Sequence, residues 1–137
     1  EDILCVNFKF ENGILANFLI TDSGTSPWAW ETCTKENIHL PYLNENNLRI
    51  IGTEGSLEFP DLIMWKYKTG GKNWKNQLEK VYIEYETVDP YILQIKHFAD
   101  VICRKVKPIT DALEGKQNLK IALSILESSE KNCIVKI

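Results

Sequence analysis

The chain has 137 residues, of which 44% are hydrophobic and 26% charged, with a formal net charge of −3 from 16 basic and 19 acidic side chains. This ordinary composition is typical of one folded globular domain spanning residues 1–137, and it excludes a disordered or fibrous protein. The lysines are scattered, which argues against a nucleic-acid surface, and no apolar run approaches the roughly 20 residues of a membrane helix.

The four cysteines, Cys5, Cys33, Cys103 and Cys133, stand far apart and form no Cys-x-x-Cys pair. Metal ligation favours short paired spacings, so the sequence predicts free thiols, no metal site and a reducing, cytoplasmic environment.

The chain begins at Glu1 rather than Met, and a strand-like pattern starts almost at once. We therefore expect it to be a piece of a longer polypeptide.

The first two thirds of the chain show the two-residue alternation of β-strands. Residues 3–10 and 14–21 alternate on either side of Asn12-Gly13, a strong hairpin signal because both residues tolerate positive φ. Further strands are predicted at residues 28–34, 48–51, 56–59, 62–67 and 80–87, with turns at 52–55, 60–61 and 69–72 and a long loop at 35–47. Loops of that length are often functional.

The period then lengthens to that of helices. Asp89 and Pro90 predict the N-cap and first residue of a helix that ends near Lys105. Asp111 with Glu114 three residues later resembles a capping box and predicts the start of a second helix. Residues 133–137 predict a short closing strand.

Strands followed by helices indicate an α+β fold with one open, mostly antiparallel sheet and helices on one face only. The other face then needs a second cover. By alternation it carries several aromatic positions, namely Trp28, Trp30, Trp65 and Tyr67. A partner surface, such as a second copy of the chain, is expected there.

The sequence shows no convincing catalytic constellation of paired carboxylates, nucleophile with base, or phosphate-binding loop. The turn at 52–55 joins two strands, whereas a dinucleotide loop leads from a strand into a helix. Trp28 and Trp30 predict an aromatic platform that stacks on sugar rings, although packing in the sheet or a dimer interface explains them equally well. His39 and Tyr42 in the long loop are weaker candidates for bonding a hydroxylated ligand, and His39 is also consistent with an ordinary exposed histidine.

A series of short motifs runs through nearly the entire chain. They are Phe10-Glu11-Asn12-Gly13, Gly52-Thr53-Glu54-Gly55-Ser56-Leu57, Tyr91-x-x-Gln94-x-x-His97-Phe98, Pro108-Ile109-Thr110-Asp111 with Gly115, and Ser128-Ser129. In this order and spacing they resemble the C-terminal domain of the glucose-fructose oxidoreductase, inositol dehydrogenase and MocA (Gfo/Idh/MocA) family. The segment from Ser26 to Glu31 with Glu36-Asn37 resembles one subgroup of that family.

The resemblance implies the C-terminal domain of an NAD(P)-dependent dehydrogenase acting on a sugar, polyol or related hydroxy compound. It implies a preceding Rossmann domain that binds NAD or NADP, and a homodimer or higher homo-oligomer formed through the exposed sheet face. In the family the catalytic lysine stands in a Glu-Lys-Pro motif, which this sequence lacks. No catalytic or cofactor-binding residue is therefore assigned to any position, and the chain alone is expected to be inactive.

The family often lines its substrate pocket with aromatic residues at the start of the third strand, which again points to Trp28 and Trp30. Two other functions remain open: a stand-alone helix-and-sheet module that grips a small apolar ligand, and a family relative that has lost catalysis and acts as a scaffold. The first usually ends on its long helix, whereas a closing strand is predicted here. An upstream Rossmann segment and a Glu-Lys-Pro motif would discriminate between these functions.

Overall fold

Helices and antiparallel sheets together make this an α+β fold, as the sequence predicts. The computed structural model describes residues 2–69 and 71–137, so Gly70 in the predicted turn at 69–72 lies outside the described residues. The elements in order are β1 (Ile3–Lys9), β2 (Leu15–Thr21), α1 (Trp30–Thr34), β3 (Leu48–Ile51), β4 (Ser56–Phe59), β5 (Ile63–Tyr67), β6 (Leu78–Tyr82), α2 (Pro90–Ile102) and α3 (Ala112–Lys131).

The strands hydrogen-bond in two sheets, whereas the sequence predicts one. One sheet is the β1-β2 pair and the other has the order β3-β4-β5-β6. The chain divides into two compact units accordingly. The hairpin-helix unit holds the residues up to Gly24 together with Ile95–Ile137, and the meander unit is Thr25–Gln94. That all 137 residues form a single domain stays a prediction.

In the hairpin-helix unit, β1 and β2 pair in the register that their alternation predicts. Val6 lies opposite Phe18 and Phe8 opposite Ala16, so that these side chains share one face. The Phe8 and Phe18 rings meet edge to face with centroids 5.7 Å apart. Gly13 has a φ of 86°, and its N–H donates to the Phe10 carbonyl at 2.9 Å, which closes the predicted turn.

In the meander unit, β3 to β6 follow one another as adjacent antiparallel strands. A Cβ atom at Gly55 would lie 2.7 Å from the Trp65 carbonyl oxygen, so the turn between β3 and β4 requires glycine for the close approach of β5. The Trp65 indole N–H donates to Glu58 at 3.2 Å, and the Lys80 ammonium lies 4.7 Å from the ring centroid. Trp65 therefore lies in a polar cross-strand cluster rather than on an apolar face.

The strand predicted at 28–34 is wrong, because Trp30–Thr34 form the short helix α1. The Cys33 N–H donates to the Ala29 carbonyl at 3.0 Å, and the Thr32 hydroxyl donates to the same carbonyl at 3.1 Å. Cys33 and Thr34 are both buried, although neighbours on a strand would face opposite sides. Trp30, Cys33 and Thr34 are spaced as on one face of a helix. Among the described residues, no strand lies beside this segment to pair with it in a sheet. Trp28 and Trp30 consequently do not lie on a sheet face with Trp65 and Tyr67.

Two further strand predictions are corrected at the ends of the pattern. The strand predicted at 80–87 is β6, Leu78–Tyr82, because its partner β5 begins only at Ile63, after Leu62, whose φ of 51° turns the chain away from the sheet. The last ladder contact is the Ile83 N–H to the Leu62 carbonyl at 3.1 Å. Residues 133–137 form no strand, and the Cys133 carbonyl accepts from the Ser128 hydroxyl at 2.7 Å instead.

Both long helices begin where the sequence predicts. Asp89 accepts from the Tyr91 N–H at 2.8 Å, and Pro90 is the first residue of α2. Asp111 accepts from the Leu113 and Glu114 N–H groups at 2.8 and 3.0 Å at the start of α3. No described helix combines the length and the apolar character needed to cross a bilayer.

The most deeply buried side chains of the described residues are in the meander unit. Cys33 is 1% exposed, and Thr34 and Ile63 are each 7% exposed. Burial raises the pKa of the Cys33 thiol, and the carboxylates of Glu45 and Asp61 raise it further against a lowering by its hydrogen bond with Thr32. A buried thiol with a raised pKa is poorly reactive, since the thiolate is the nucleophile.

We expect Asp111→Ala to lower the free energy of unfolding by about 1 kcal/mol, because two N–H groups of α3 lose their acceptor. Urea unfolding followed by circular dichroism measures the change. Asp111→Asn keeps an acceptor and is expected to retain most of the stability. An alanine variant as stable as the parent would contradict this role of the cap.

We expect a maleimide reagent to modify Cys5, Cys103 and Cys133, which are exposed, well before Cys33, which is buried. Mass spectrometry of the digested protein gives the order of labelling. The unfolding free energy is expected to fall as pH rises through about 8.5, because the unfolded chain releases the Cys33 proton first.

In urea all four thiols should label alike, which provides the control. Labelling of Cys33 at the rate of the exposed thiols in the folded protein would show that its burial is not maintained in solution.

Candidate functional site

A cavity with a volume of about 350 Å³ lies within the meander unit. Two segments line it, one from α1 and the residues after it, the other from the first turn of α2. The lining residues are Trp30, Glu31, Thr34, Glu36, Asn37, Pro90, Tyr91 and Gln94. Ligand pockets range from about 300 to 1,000 Å³, so this volume suits a small molecule such as a single sugar ring.

Trp30 forms an oriented aromatic wall of this cavity. Its ring stacks on Phe59 of β4 with centroids 5.1 Å apart and an interplanar angle of 26°. Its indole N–H donates to the Glu36 carboxylate at 3.2 Å. One face of the indole ring and its N–H edge both have partners, and these contacts fix the orientation of the ring. The remaining surface of the ring faces the cavity.

The chain after α1 turns sharply and brings two polar side chains to the cavity. Lys35 ends the helix with a φ of 60°, in the left-handed region. The Asn37 side-chain oxygen accepts from the His39 N–H at 3.0 Å, and the Asn37 carbonyl accepts from the Leu40 N–H at 3.2 Å. These local turns hold Glu36 and Asn37 next to the end of α1.

The opposite side of the cavity comes from the start of α2. Asp89 caps the helix, and Tyr91 and Gln94 are three residues apart. Residues at that spacing lie on one face of a helix, which explains why both reach the same cavity. A phenol and a primary amide thus face the carboxylates and the indole from the other segment.

Thr34 carries a polar atom whose hydrogen bonding is incomplete. The residue lines the cavity and is 7% exposed, yet its Oγ1 has no hydrogen-bond partner within residues 2–69 and 71–137. An unpaired buried hydroxyl costs roughly 1–3 kcal/mol. This oxygen has almost no accessible surface, so the other atoms of Thr34 line the cavity and its hydroxyl is not offered to a ligand there.

Taken together, the lining side chains can bind hydroxyl groups. The carboxylates of Glu31 and Glu36 accept hydrogen bonds, the amides of Asn37 and Gln94 donate and accept, and Trp30 offers a flat apolar surface. No group of three or more metal-ligating side chains occurs in the described part of the chain. The arrangement supports binding and orientation of a hydroxylated compound.

Of the four residues predicted to bind substrate, Trp30 lines the cavity, while Trp28, His39 and Tyr42 are not among its lining residues. Trp28 is exposed and bonds through its backbone N–H to Ser26 Oγ at 3.1 Å. The His39 side chain is also exposed. A role in binding for these residues stays a prediction.

Tyr42 is held by its neighbours in the loop. Its hydroxyl donates to Asn44 at 2.8 Å, and the Lys35 ammonium lies 5.4 Å from the ring centroid. Burial raises the pKa of Tyr42, and the Asp61 carboxylate raises it further. The phenol therefore keeps its proton and serves as a hydrogen-bond donor within the loop.

Sequence reasoning missed most of the cavity. Glu36, Asn37, Tyr91 and Gln94 appear in the motifs that carry the family resemblance, yet those motifs were not interpreted as a site. The cap at Asp89 is the signal that could have found Tyr91 and Gln94, because it places these two residues, three apart, on one face of the predicted helix. Glu31 ends the segment from Ser26 that resembles one subgroup of the family, whereas nothing in the sequence pattern marks Thr34.

His97, the other histidine, serves the hairpin-helix unit. Its Nε2 accepts from the Ile109 N–H at 3.1 Å and so connects α2 to the segment that leads into α3.

The turn at 52–55 does not fit a nicotinamide cofactor. It joins β3 to β4 through the Gly52 N–H to Gly55 carbonyl bond of 2.8 Å, so no helix N-terminus follows it. No family model matches the chain, and comparison with curated proteins and with solved structures likewise gives no match.

Proposed function

We propose that this chain is the substrate-facing C-terminal part of an NAD(P)-dependent oxidoreductase acting on a sugar, polyol or related hydroxy compound. The single observation that carries the proposal is the cavity of about 350 Å³ with an oriented indole, two carboxylates and two side-chain amides. Its two walls contain Trp30 with Glu36-Asn37 and Tyr91 with Gln94, which belong to the segments that resemble the Gfo/Idh/MocA family.

In this proposal the chain supplies part of the substrate pocket and leaves the redox chemistry to another segment. No Glu-Lys-Pro motif occurs in the sequence, and the turn at 52–55 does not fit a dinucleotide. A preceding Rossmann domain would bind NAD or NADP and provide the catalytic groups. The cysteines are free, which supports a cytoplasmic location.

The alternative of a module that grips an apolar ligand between sheet and helix has a corresponding groove in the hairpin-helix unit. Residues of β1, of α3 and of the last segment, among them Phe8, Ile125 and Ile134, line it. Its volume is about 130 Å³, whereas ligand pockets start at about 300 Å³. We therefore favour the larger cavity as the ligand site.

We also propose that the protein associates as a homodimer through a sheet face. On the β1-β2 pair, Leu15 and Leu19 lie on the same face and are 74% and 65% exposed. Burial of each leucine side chain in an interface is worth about 1.5–3 kcal/mol. A two-stranded sheet is only marginally stable by itself, so burial of this face in a dimer interface would stabilise it.

We expect the full-length protein to oxidise a member of a panel of sugars and inositols with NAD⁺ or NADP⁺. Trp30→Ala is expected to raise KM about tenfold, because the aromatic wall is lost, while Trp30→Phe retains much of the affinity. Trp74→Ala changes a fully exposed indole outside the cavity and provides the control.

Absence of turnover with every substrate and both cofactors would contradict the enzymatic proposal. Binding of a sugar without turnover would then favour the scaffold alternative, and equal effects of the Trp30 and Trp74 substitutions would place the substrate elsewhere.

We expect sedimentation velocity at roughly 10 µM to show a dimer, since interfaces of standard size hold at such concentrations. Leu15→Lys with Leu19→Lys is expected to give the monomer, because two charges would be buried at the interface. Ile38→Lys alters an exposed loop residue and should leave the dimer intact. A parent protein that is monomeric throughout would contradict the sheet-face interface.

A further inference from the structure

The charge of the cavity lining is one-sided. Two of its eight residues, Glu31 and Glu36, carry carboxylates, and no lysine, arginine or histidine lines it. The nearest base in sequence is Lys35, whose ammonium lies over the Tyr42 ring at 5.4 Å from its centroid. A neutral sugar does not need two carboxylates in its binding site. Because no cation in the lining compensates their negative charge, the lining favours a ligand that carries a positive charge.

The Glu36 carboxylate is positioned for such a ligand. One oxygen, Oε2, accepts the Trp30 indole N–H at 3.2 Å. A carboxylate has about four acceptor positions on its two oxygens, so the indole bond orients the group without saturating it. Its remaining acceptor capacity is available to an ammonium group held beside the Trp30 ring.

Aromatic rings on both sides of the cavity add to the attraction for a cation. Trp30 belongs to one wall and Tyr91 to the other. The electron-rich face of an indole or phenol attracts an ammonium group, most strongly for tryptophan. The carboxylates and the rings therefore favour the same kind of ligand.

The rest of the lining fits hydroxyl groups. The primary amides of Asn37 and Gln94 lie in the same cavity as the two carboxylates, and each amide both donates and accepts hydrogen bonds. A purely cationic ligand such as an alkylamine has no acceptor for the amide N–H groups, whereas a hydroxyl group pairs with both atoms of an amide. The two amides thus point to a ligand that carries hydroxyl groups as well as an amine.

We propose that the cavity between α1 and the first turn of α2 selects a polyhydroxylated ligand with a protonated amine, the chemical class of the amino sugars. This inference rests on the proposed function and narrows its substrate class. Glu31 and Glu36 bind the ammonium group, Trp30 stacks on the ring, and Asn37 and Gln94 bond hydroxyls.

The experiment is calorimetric titration of the intact protein with three sugars that share one ring: glucosamine, N-acetylglucosamine and glucose. We expect glucosamine to bind on the order of five- to tenfold more tightly than the two neutral sugars, since one partly exposed ion pair and one cation–π contact distinguish it. Its affinity should fall as salt is added, while that of glucose stays constant.

Glu31→Gln and Glu36→Gln are each expected to lower the affinity for glucosamine about threefold and that for N-acetylglucosamine by a smaller factor, because glutamine still accepts hydrogen bonds from hydroxyls. Glutamine at position 36 still accepts the Trp30 N–H, so the wall keeps its orientation. Glu84→Gln removes an equal charge at an exposed position outside the cavity and is the matched control.

Equal affinity for the three sugars, or tighter binding of a neutral one, would overturn the inference while leaving the proposed function intact. No binding of any of the three would also overturn the inference, while the panel of sugars and inositols tests the proposed function separately. An equal loss of glucosamine affinity in Glu84→Gln would show that the preference arises from net charge and would also overturn the inference.

Discussion

The stacking of Trp30 on Phe59 is the contact on which the candidate site depends. The helix that carries Trp30 has five residues and no side-chain N-cap, and a helix of that length is not stable by itself. Its Thr32 and Cys33 side chains bond to the Pro27 carbonyl, and the Leu43 N–H bonds to the Thr32 carbonyl, which adds local support. The aromatic stack then fixes this short helix against β4, and with it the carboxylates of the cavity.

Much of the fold follows from local patterns in the sequence. The hairpin at Asn12-Gly13, the antiparallel meander and both long helices could be predicted, because alternation, turn residues and caps act within a few positions. The site could not be predicted in the same way. Its eight lining residues come from segments that are more than fifty positions apart, and only the tertiary structure brings Glu36 next to Tyr91.

The errors of prediction have a common physical cause. Residues 28–34 alternate like a strand, but they also have helical spacing, and the outcome depended on whether a neighbouring strand was present to hydrogen-bond with them. The last predicted strand, 133–137, and the end of the strand at 80–87 lacked a partner for the same reason. A strand needs an adjacent strand, and a single segment of sequence does not show one.

The cap of α2 couples helix order to the contents of the cavity. Asp89 bonds the Tyr91 and Ile92 N–H groups at 2.8 and 3.4 Å, and the same first turn presents Tyr91 and Gln94 to the cavity. The first turn of a helix frays easily, so only a fraction of the molecules have this turn formed. A ligand that contacts Tyr91 and Gln94 binds only that fraction, and its apparent affinity is reduced accordingly. Occupancy of the cavity and the winding of this turn are therefore linked equilibria, and each stabilises the other.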